Sequence, residues 1–396
     1  MSGFTDRLDQ AAAATKSLVC VGLDPDPARM PVSDVFEFNR AIVDATAELV
    51  CAFKPNLAFY EAMGLPGLRD LEKTISHIRN VAPSAIILGD AKRGDIGPSA
   101  QAYAKAMFQV WGFDALTINA WGGEDTVLPF LEDESKGVFV WCRGSNPGSA
   151  DFQDVQITTD GGVMPLYRNV ALSCQRWNTK GNLGLVAGAT VPEQLAEIRT
   201  ACPTMPLLIP GVGAQGGDLE AAVRQGTDSW GRSALINSSR GIIYASTGDD
   251  FAEAAAREAN KLRESINKAI FYASAMALVI FLLIMAFPTA IVSVFTDDAE
   301  IVSSTPHAMR WVFAAVPIVG IQLIGSAYFQ AIGKATPALL LTLTRQGFFF
   351  IPLVLILSKM YGEMGVWFSF PLADLLSTII TGYFLNREIR KTLINS

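Results

Sequence analysis

The feature that most constrains this chain is a unit repeated eight times. Short apolar, β-branched runs recur between residues 17 and 239: "SLVCVGLD", "LVCAFKP", "AIILGDAK", "ALTINA", "GVFVWCR", "LGLVAGAT", "PLLIPGV" and "SALINSS". Between most of them lie stretches such as "FEFNRAIVDATAEL", "LRDLEKTISHIRNVA" and "VPEQLAEIRTAC", with apolar residues at helical spacing. Strands separated by helices pair in parallel, and eight such units in about 250 residues predict an α/β fold, a (β/α)8 TIM barrel. Functional groups of that fold sit where the strands end.

The unusual residues fall at those ends. They are Asp24, Lys54, Asp90 with Lys92, Asn119, Ser145 after Arg143, Thr190, the glycine-rich "PGVGAQGG" at 210–217 with Gln215, Gly216 and Gly217, and Arg240 in "INSSRG". The third run is the most telling, because "AIILGDAKRGDIG" begins as a buried strand and then places Asp90, Lys92, Arg93 and Asp95 within a few residues. A buried charge is tolerable only when paired or put to use. Residues i and i+2 of a strand share a face, so Asp90 and Lys92 point together, and Lys54 on the neighbouring strand reaches the same point. The product is a row of alternating charges, which serves either chemistry or an ion-pair network that merely holds loops.

Composition divides the chain. Residues 1–267 carry 23 Lys or Arg against 32 Asp or Glu, whereas residues 268–396 carry 8 against 6 and contain long uncharged runs. The acidic first part lacks the basic footprint that nucleic-acid binding requires, so no nucleic-acid partner is expected. All five cysteines lie there without CxxC spacing, which argues against a zinc site or a disulfide framework. The N-terminal "MSGFTDRLDQAAAATKS" is a mixed-charge helical pattern with no apolar signal core, and a cytoplasmic barrel is expected.

The pattern D-x-K-x-x-D in "DAKRGD", with "VGLDPDP" and "FKPN" before it and "PGVGAQGGD" and "INSSR" after it, resembles the bacterial subgroup of the orotidine 5'-phosphate decarboxylase family, from about Phe4 to Asn267. The resemblance implies loss of CO2 from orotidine 5'-phosphate (OMP) to give UMP, with no metal or organic cofactor. It implies that Asp24 and Lys54 hold ribose hydroxyls, that Asp90 faces the substrate carboxylate, and that Lys92 protonates C6. It further assigns Asp95 to the site of a neighbouring subunit in a homodimer, Ser145 to the pyrimidine edge, and Gln215, Gly216, Gly217 and Arg240 to the phosphate. Asn119 and Thr190 complete the expected binding set. "TINAWGG" stands where many relatives carry a proline and a tyrosine, and Pro98 where a polar residue is commoner, which concerns loop geometry more than chemistry.

Residues 269–296 and 311–333 are free of charge, 335–358 are apolar apart from Arg345 and Gln346, and 364–386 apart from Asp374. Each run is long enough to cross a bilayer, giving four expected spanning helices in contact with lipid. Lys261, Arg263, Lys268, Lys334, Arg387, Arg390 and Lys391 flank one side, against Arg310 and Lys359 on the other, so both termini are expected to be cytoplasmic, the helices lying in the inner membrane. "FQAIGK", the "RQ" within a helix and "GVWFSFPLAD" resemble the last four helices of a multidrug and toxin extrusion (MATE) transporter. Such a transporter has twelve helices, so transport by this segment alone is not expected. The chain passes from 1–267 to 268–396 through "FAEAAAREANKLRESINKAIFYASAMALVIF" without a Gly or Pro break, as a natural tether, an engineered chimera or the joining of two unrelated genes in sequence assembly would each produce. Two other readings stand beside the decarboxylase: a related sugar-phosphate decarboxylase that uses Mg2+, and a partial efflux protein whose barrel is cargo.

Overall fold

A computed structural model describes residues 3–159, 162–212, 217–315, 340–341 and 343–394. The chain divides into two compact units, Met1–Phe271 and Tyr272–Ser396.

All eight expected strands form in the first unit. They are β1 (Val19–Leu23), β2 (Ala52–Pro55), β3 (Ile86–Arg93), β4 (Ala115–Ile118), β5 (Gly137–Arg143), β8 (Leu183–Ala187), β9 (Leu207–Ile209) and β10 (Ala234–Ser238). They close into a parallel barrel in the order β1-β2-β3-β4-β5-β8-β9-β10, with β10 returning to β1. The departure from sequence order is an antiparallel hairpin, β6 (Gln156–Thr159) and β7 (Gly162–Pro165), inserted after β5. Half of its residues are exposed and none is buried, so it carries little of the apolar patterning by which a strand is read.

Burial on both faces explains why the barrel strands read as continuous apolar runs. Outward-facing residues such as Val21, Phe53 and Ile87 join the core beneath the helices, with Phe38, Ile42, Leu71 and Ile78. Inward-facing Cys20, Ala52, Ile86, Leu88, Phe139, Val186, Leu208 and Leu235 fill the lumen. Helix α1 (Phe4–Thr15) adds Phe4, Leu8 and Ala11 to that lumen. The Phe4 N–H donates to the Glu134 carbonyl at 2.9 Å, just before β5, so α1 plugs the end opposite the strand C-termini. Asp114, just before β4, accepts from Arg7 at 2.5 Å and pairs with Arg79 at 2.6 Å, pinning the same end. The five cysteines are free and buried, and burial pushes the Cys20 and Cys202 thiols up to about 12, so they act as small apolar side chains.

Helix α2 (Phe251–Ala286) is continuous, as the missing Gly or Pro break leads one to expect. The expected uninterrupted span 269–296 is nevertheless corrected at Pro288, where Leu278–Ala286 and Pro288–Phe295 meet at 88°. Proline lacks the N–H a helix needs and pushes its predecessor out of the helical region, and Phe287 stands at φ −124° and ψ 43°. The second expected span, 311–333, lies mostly outside the described residues. Within the third, Thr344–Phe350 forms a π-helical turn followed by Ile351–Tyr361. Its Arg345 Nε donates at 2.6 Å to the buried Asp374 of Glu363–Ile394. Among the described residues one helix, Glu363–Phe384, is long and apolar enough to cross a membrane, or two if the bent pair counts as one span.

Candidate active site

The C-terminal ends of the strands enclose a cavity of about 340 Å³ whose lining includes Asp24, Lys54, Asp90, Lys92, Ser145 and Arg240. Six residues singled out in the sequence therefore meet in one place.

At its centre Lys54 Nζ stands 2.9 Å from Asp90 Oδ2, and Lys92 Nζ stands 2.6 Å from Asp90 Oδ1. Lys54 is 4% exposed. Burial would drive its proton off, but the carboxylates of Asp90 and Asp24 outweigh burial and push the ammonium above its ordinary range. Burial would likewise raise Asp90, yet Lys54 and then Lys92 hold its carboxyl well below the usual carboxylate range. The acid is thus locked in its charged form.

Asp90 and Lys92 face the cavity as expected, though not by simple strand alternation. The register of β3 on β4 pairs Gly89 with Leu116 and then Arg93 with Ile118, so three residues of β3 lie opposite Thr117 alone. Such a bulge re-aims side chains beside a site. Within it Lys92 takes φ +46°, a region that residues other than glycine seldom enter. Thr117 and Asn56 also line the cavity. Neither was singled out by sequence, although Thr117 stands beside Asn119 in "TIN" and Asn56 ends "FKPN".

Asp24 follows β1 and accepts from Ser239 Oγ at 2.6 Å through Oδ2. Its Oδ1 is buried with no hydrogen-bond partner among the described residues. Gly22 makes the approach possible, because a Cβ there would lie 2.6 Å from that of Ser239. Ser239 and Tyr244, whose hydroxyl donates to the Asp24 carbonyl at 3.0 Å, are further supports that sequence reading missed.

The remaining expected residues are placed differently. Thr190 Oγ1 donates to the Ser145 carbonyl at 2.9 Å and so steadies Ser145 from behind. Asn119 Nδ2 donates to the Lys92 carbonyl at 3.4 Å, and Asn119 lines an adjoining apolar cavity of about 720 Å³. Asp95 is exposed, accepts from the Ile96 N–H at 2.8 Å, and does not join the Lys54, Asp90, Lys92 cluster of its own chain. Gly217 bridges to Val212, and a Cβ there would lie 2.6 Å from the Gly211 carbonyl oxygen. Gln215 and Gly216 lie outside the described residues. Arg143 is structural, bonding Gln194 at 2.6 Å and Asp154 at 3.0 Å.

A family model, "Orotidine 5'-phosphate decarboxylase / HUMPS family", matches residues 17–257. The chain belongs to the orotidine 5'-phosphate decarboxylase / HUMPS family. Within that family it is 48% identical over 265 residues to the orotidine 5'-phosphate decarboxylase of Dehalococcoides mccartyi, a match covering 67% of this chain and 97% of the relative. It is 49% identical over 272 residues to that of Ralstonia pickettii, covering 67% and 98%. Among solved structures, the barrel is similar to a putative orotidine-monophosphate-decarboxylase from Toxoplasma gondii, with TM-score 0.64, 38% identity and coverage of 69% of this chain and 98% of that one. Leishmania donovani OMP decarboxylase gives TM-score 0.60 and 37% identity, covering 68% and 100%. A second model, MatE, matches residues 252–356, so the two families overlap within the continuous helix α2.

Proposed function

We propose that the barrel removes CO2 from orotidine 5'-phosphate to give UMP, the last step of pyrimidine nucleotide synthesis. The observation that carries this reading is the Lys54–Asp90–Lys92 array on the wall of a nucleotide-sized cavity, with Arg240 also on its lining. Asp24, which lines the cavity with Lys54, accepts a ribose hydroxyl. Arg240 and the turn closed by Gly217, together with Gln215 and Gly216, take the phosphate, and Ser145 takes the pyrimidine edge. Thr190 and Asn119 act behind them.

With OMP seated, its carboxylate faces a carboxylate that cannot discharge by taking a proton. Two anions about 4 Å apart repel by roughly 4 kcal/mol at an effective dielectric near 20, and release of that strain is worth about three powers of ten in rate. The larger share comes from Lys92. As the C6–carboxyl bond breaks, its electron pair stays on C6, where the ammonium stabilises the developing carbanion and then delivers its proton. Lys54 keeps Asp90 charged and in place. Binding energy from the remote phosphate drives closure of the site. Asp95 enters the site of a partner subunit, so the working unit is a homodimer.

The Mg2+-dependent sugar-phosphate reading fits the donors poorly. Asp90 is already engaged by two ammonium groups and Thr117, and among the described residues no three His, Cys, Asp or Glu side chains cluster to hold a metal. Residues 268–396 anchor the barrel to the inner membrane in contact with lipid, both termini cytoplasmic, as the Lys and Arg distribution directs. The decisive test follows loss of orotidylate absorbance with the full chain in detergent. Activity indifferent to chelator, abolished in Asp90→Asn and in Lys92→Ala, is expected; substantial turnover by Lys92→Ala removes the assigned proton donor.

A further inference from the structure

A regular parallel ladder would satisfy the backbone of β3 from β4, but the bulge leaves Asp90, Ala91 and Lys92 opposite one residue. The Thr117 hydroxyl fills the gap. Its Oγ1 donates to Asp90 Oδ1 at 2.8 Å and accepts from the Lys92 N–H at 3.0 Å. A hydroxyl has a single proton, and a carboxylate held ionised can only accept, so the direction of both bonds is fixed. Thr117 is 1% exposed, so packing as well as these two bonds holds its hydroxyl in place. One side chain therefore grips both members of the reacting pair, the acid by its carboxylate and the lysine by its backbone. It does so where Lys92 holds φ +46°, a conformation that persists only when its surroundings over-determine it.

We propose that Thr117 is a positioning residue for decarboxylation, fixing Asp90 and Lys92 relative to each other so that repulsion and protonation act on the same carbon. The inference rests on the decarboxylase reading above. A hydrogen bond to a charged acceptor and one to a strained backbone are lost together in Thr117→Val, which keeps the shape and deletes the hydroxyl, whereas Thr117→Ser keeps the hydroxyl.

The experiment measures OMP turnover by the full chain in detergent, from pH 4.5 to 9, beside calorimetric binding of UMP, which lacks the carboxylate that Asp90 confronts. Thr117→Val is expected to lower kcat about ten- to a hundredfold across this whole pH range, since Lys54 and Lys92 keep Asp90 ionised throughout it, and to bind UMP within about threefold of the unaltered chain. Thr117→Ser is expected to restore kcat to within about threefold. Undiminished kcat in Thr117→Val overturns the inference while leaving the decarboxylase reading intact. So does a loss that serine fails to rescue, or one that UMP binding shares in proportion, since either marks a merely structural role. An unaltered chain that leaves OMP intact overturns both readings.

Discussion

Replacing Lys54 by methionine isolates the ammonium that keeps Asp90 charged. Lys54 is 4% exposed, so the substitution keeps most of its apolar stem and removes the charge from a buried place. At 2.9 Å and an effective dielectric near 20, the attraction to Asp90 is about 6 kcal/mol gross. Relief of the buried ammonium's desolvation returns several of these, and Asp90 keeps Lys92 at 2.6 Å and Thr117 at 2.8 Å. The net loss thus falls at the low end for a broken buried pair, about 3 kcal/mol, or about 6–12 °C in Tm for a domain of this size. The same loss of preorganisation lowers kcat by about two powers of ten. The pH dependence has a definite sign. Asp90 is held below the ordinary carboxylate range, so its contribution to stability is complete above about pH 4 and is lost as pH falls through its folded value. Removing Lys54 raises that folded value, so the gap in Tm between the two proteins is widest near pH 7 and narrows toward pH 3. Thermal unfolding across that range, with OMP turnover alongside, checks both parts. Equal melting temperatures at pH 7, or a gap that widens on acidification, would refute the electrostatic account of the site.

Arg199→Met tests the fold rather than the chemistry. The Arg199 guanidinium donates to the carbonyls of Gly226, Met205 and Ser233 at 2.6, 2.8 and 2.8 Å, among others, so the variant strands buried acceptors and is expected to lose about 3 kcal/mol in denaturant titration. Asp9→Asn tests a liability near the plugged end of the barrel. Burial first, then Asp228 and Asp6 against Arg232, push the Asp9 carboxyl up to about 6. An acid raised on folding lowers stability as pH climbs from about 4 through about 6. The asparagine variant is therefore expected to gain about 1–2 kcal/mol at pH 7.5, after allowance for partial solvent screening, and nothing below pH 4. An equal gain at both pH values would contradict the shift.

What the sequence reveals about this molecule follows the range of the forces concerned. Val19–Leu23 and its seven counterparts are legible because each strand is buried on both faces over most of its length and is apolar there, a condition met within five or so residues. The charged strand ends are legible for the converse reason, since Lys54, Asp90 and Lys92 have no place in such a core unless they meet. Thr117 is illegible: its neighbours are those of any β4 residue, and its importance arises only from a bulge in another strand, twenty-five residues earlier at Lys92. Ser239 depends likewise on the absent side chain of Gly22, 217 positions away. The bend at Pro288 lies between these cases, because proline marks the break locally while the uncharged run on either side argues for continuity, and the steric demand of one ring decides the outcome. Asp95 shows the same logic at the level of assembly. Its motif spacing ties it to Lys92, yet its own backbone turns it to solvent, so a role in catalysis for this carboxylate requires a second chain to supply what it faces.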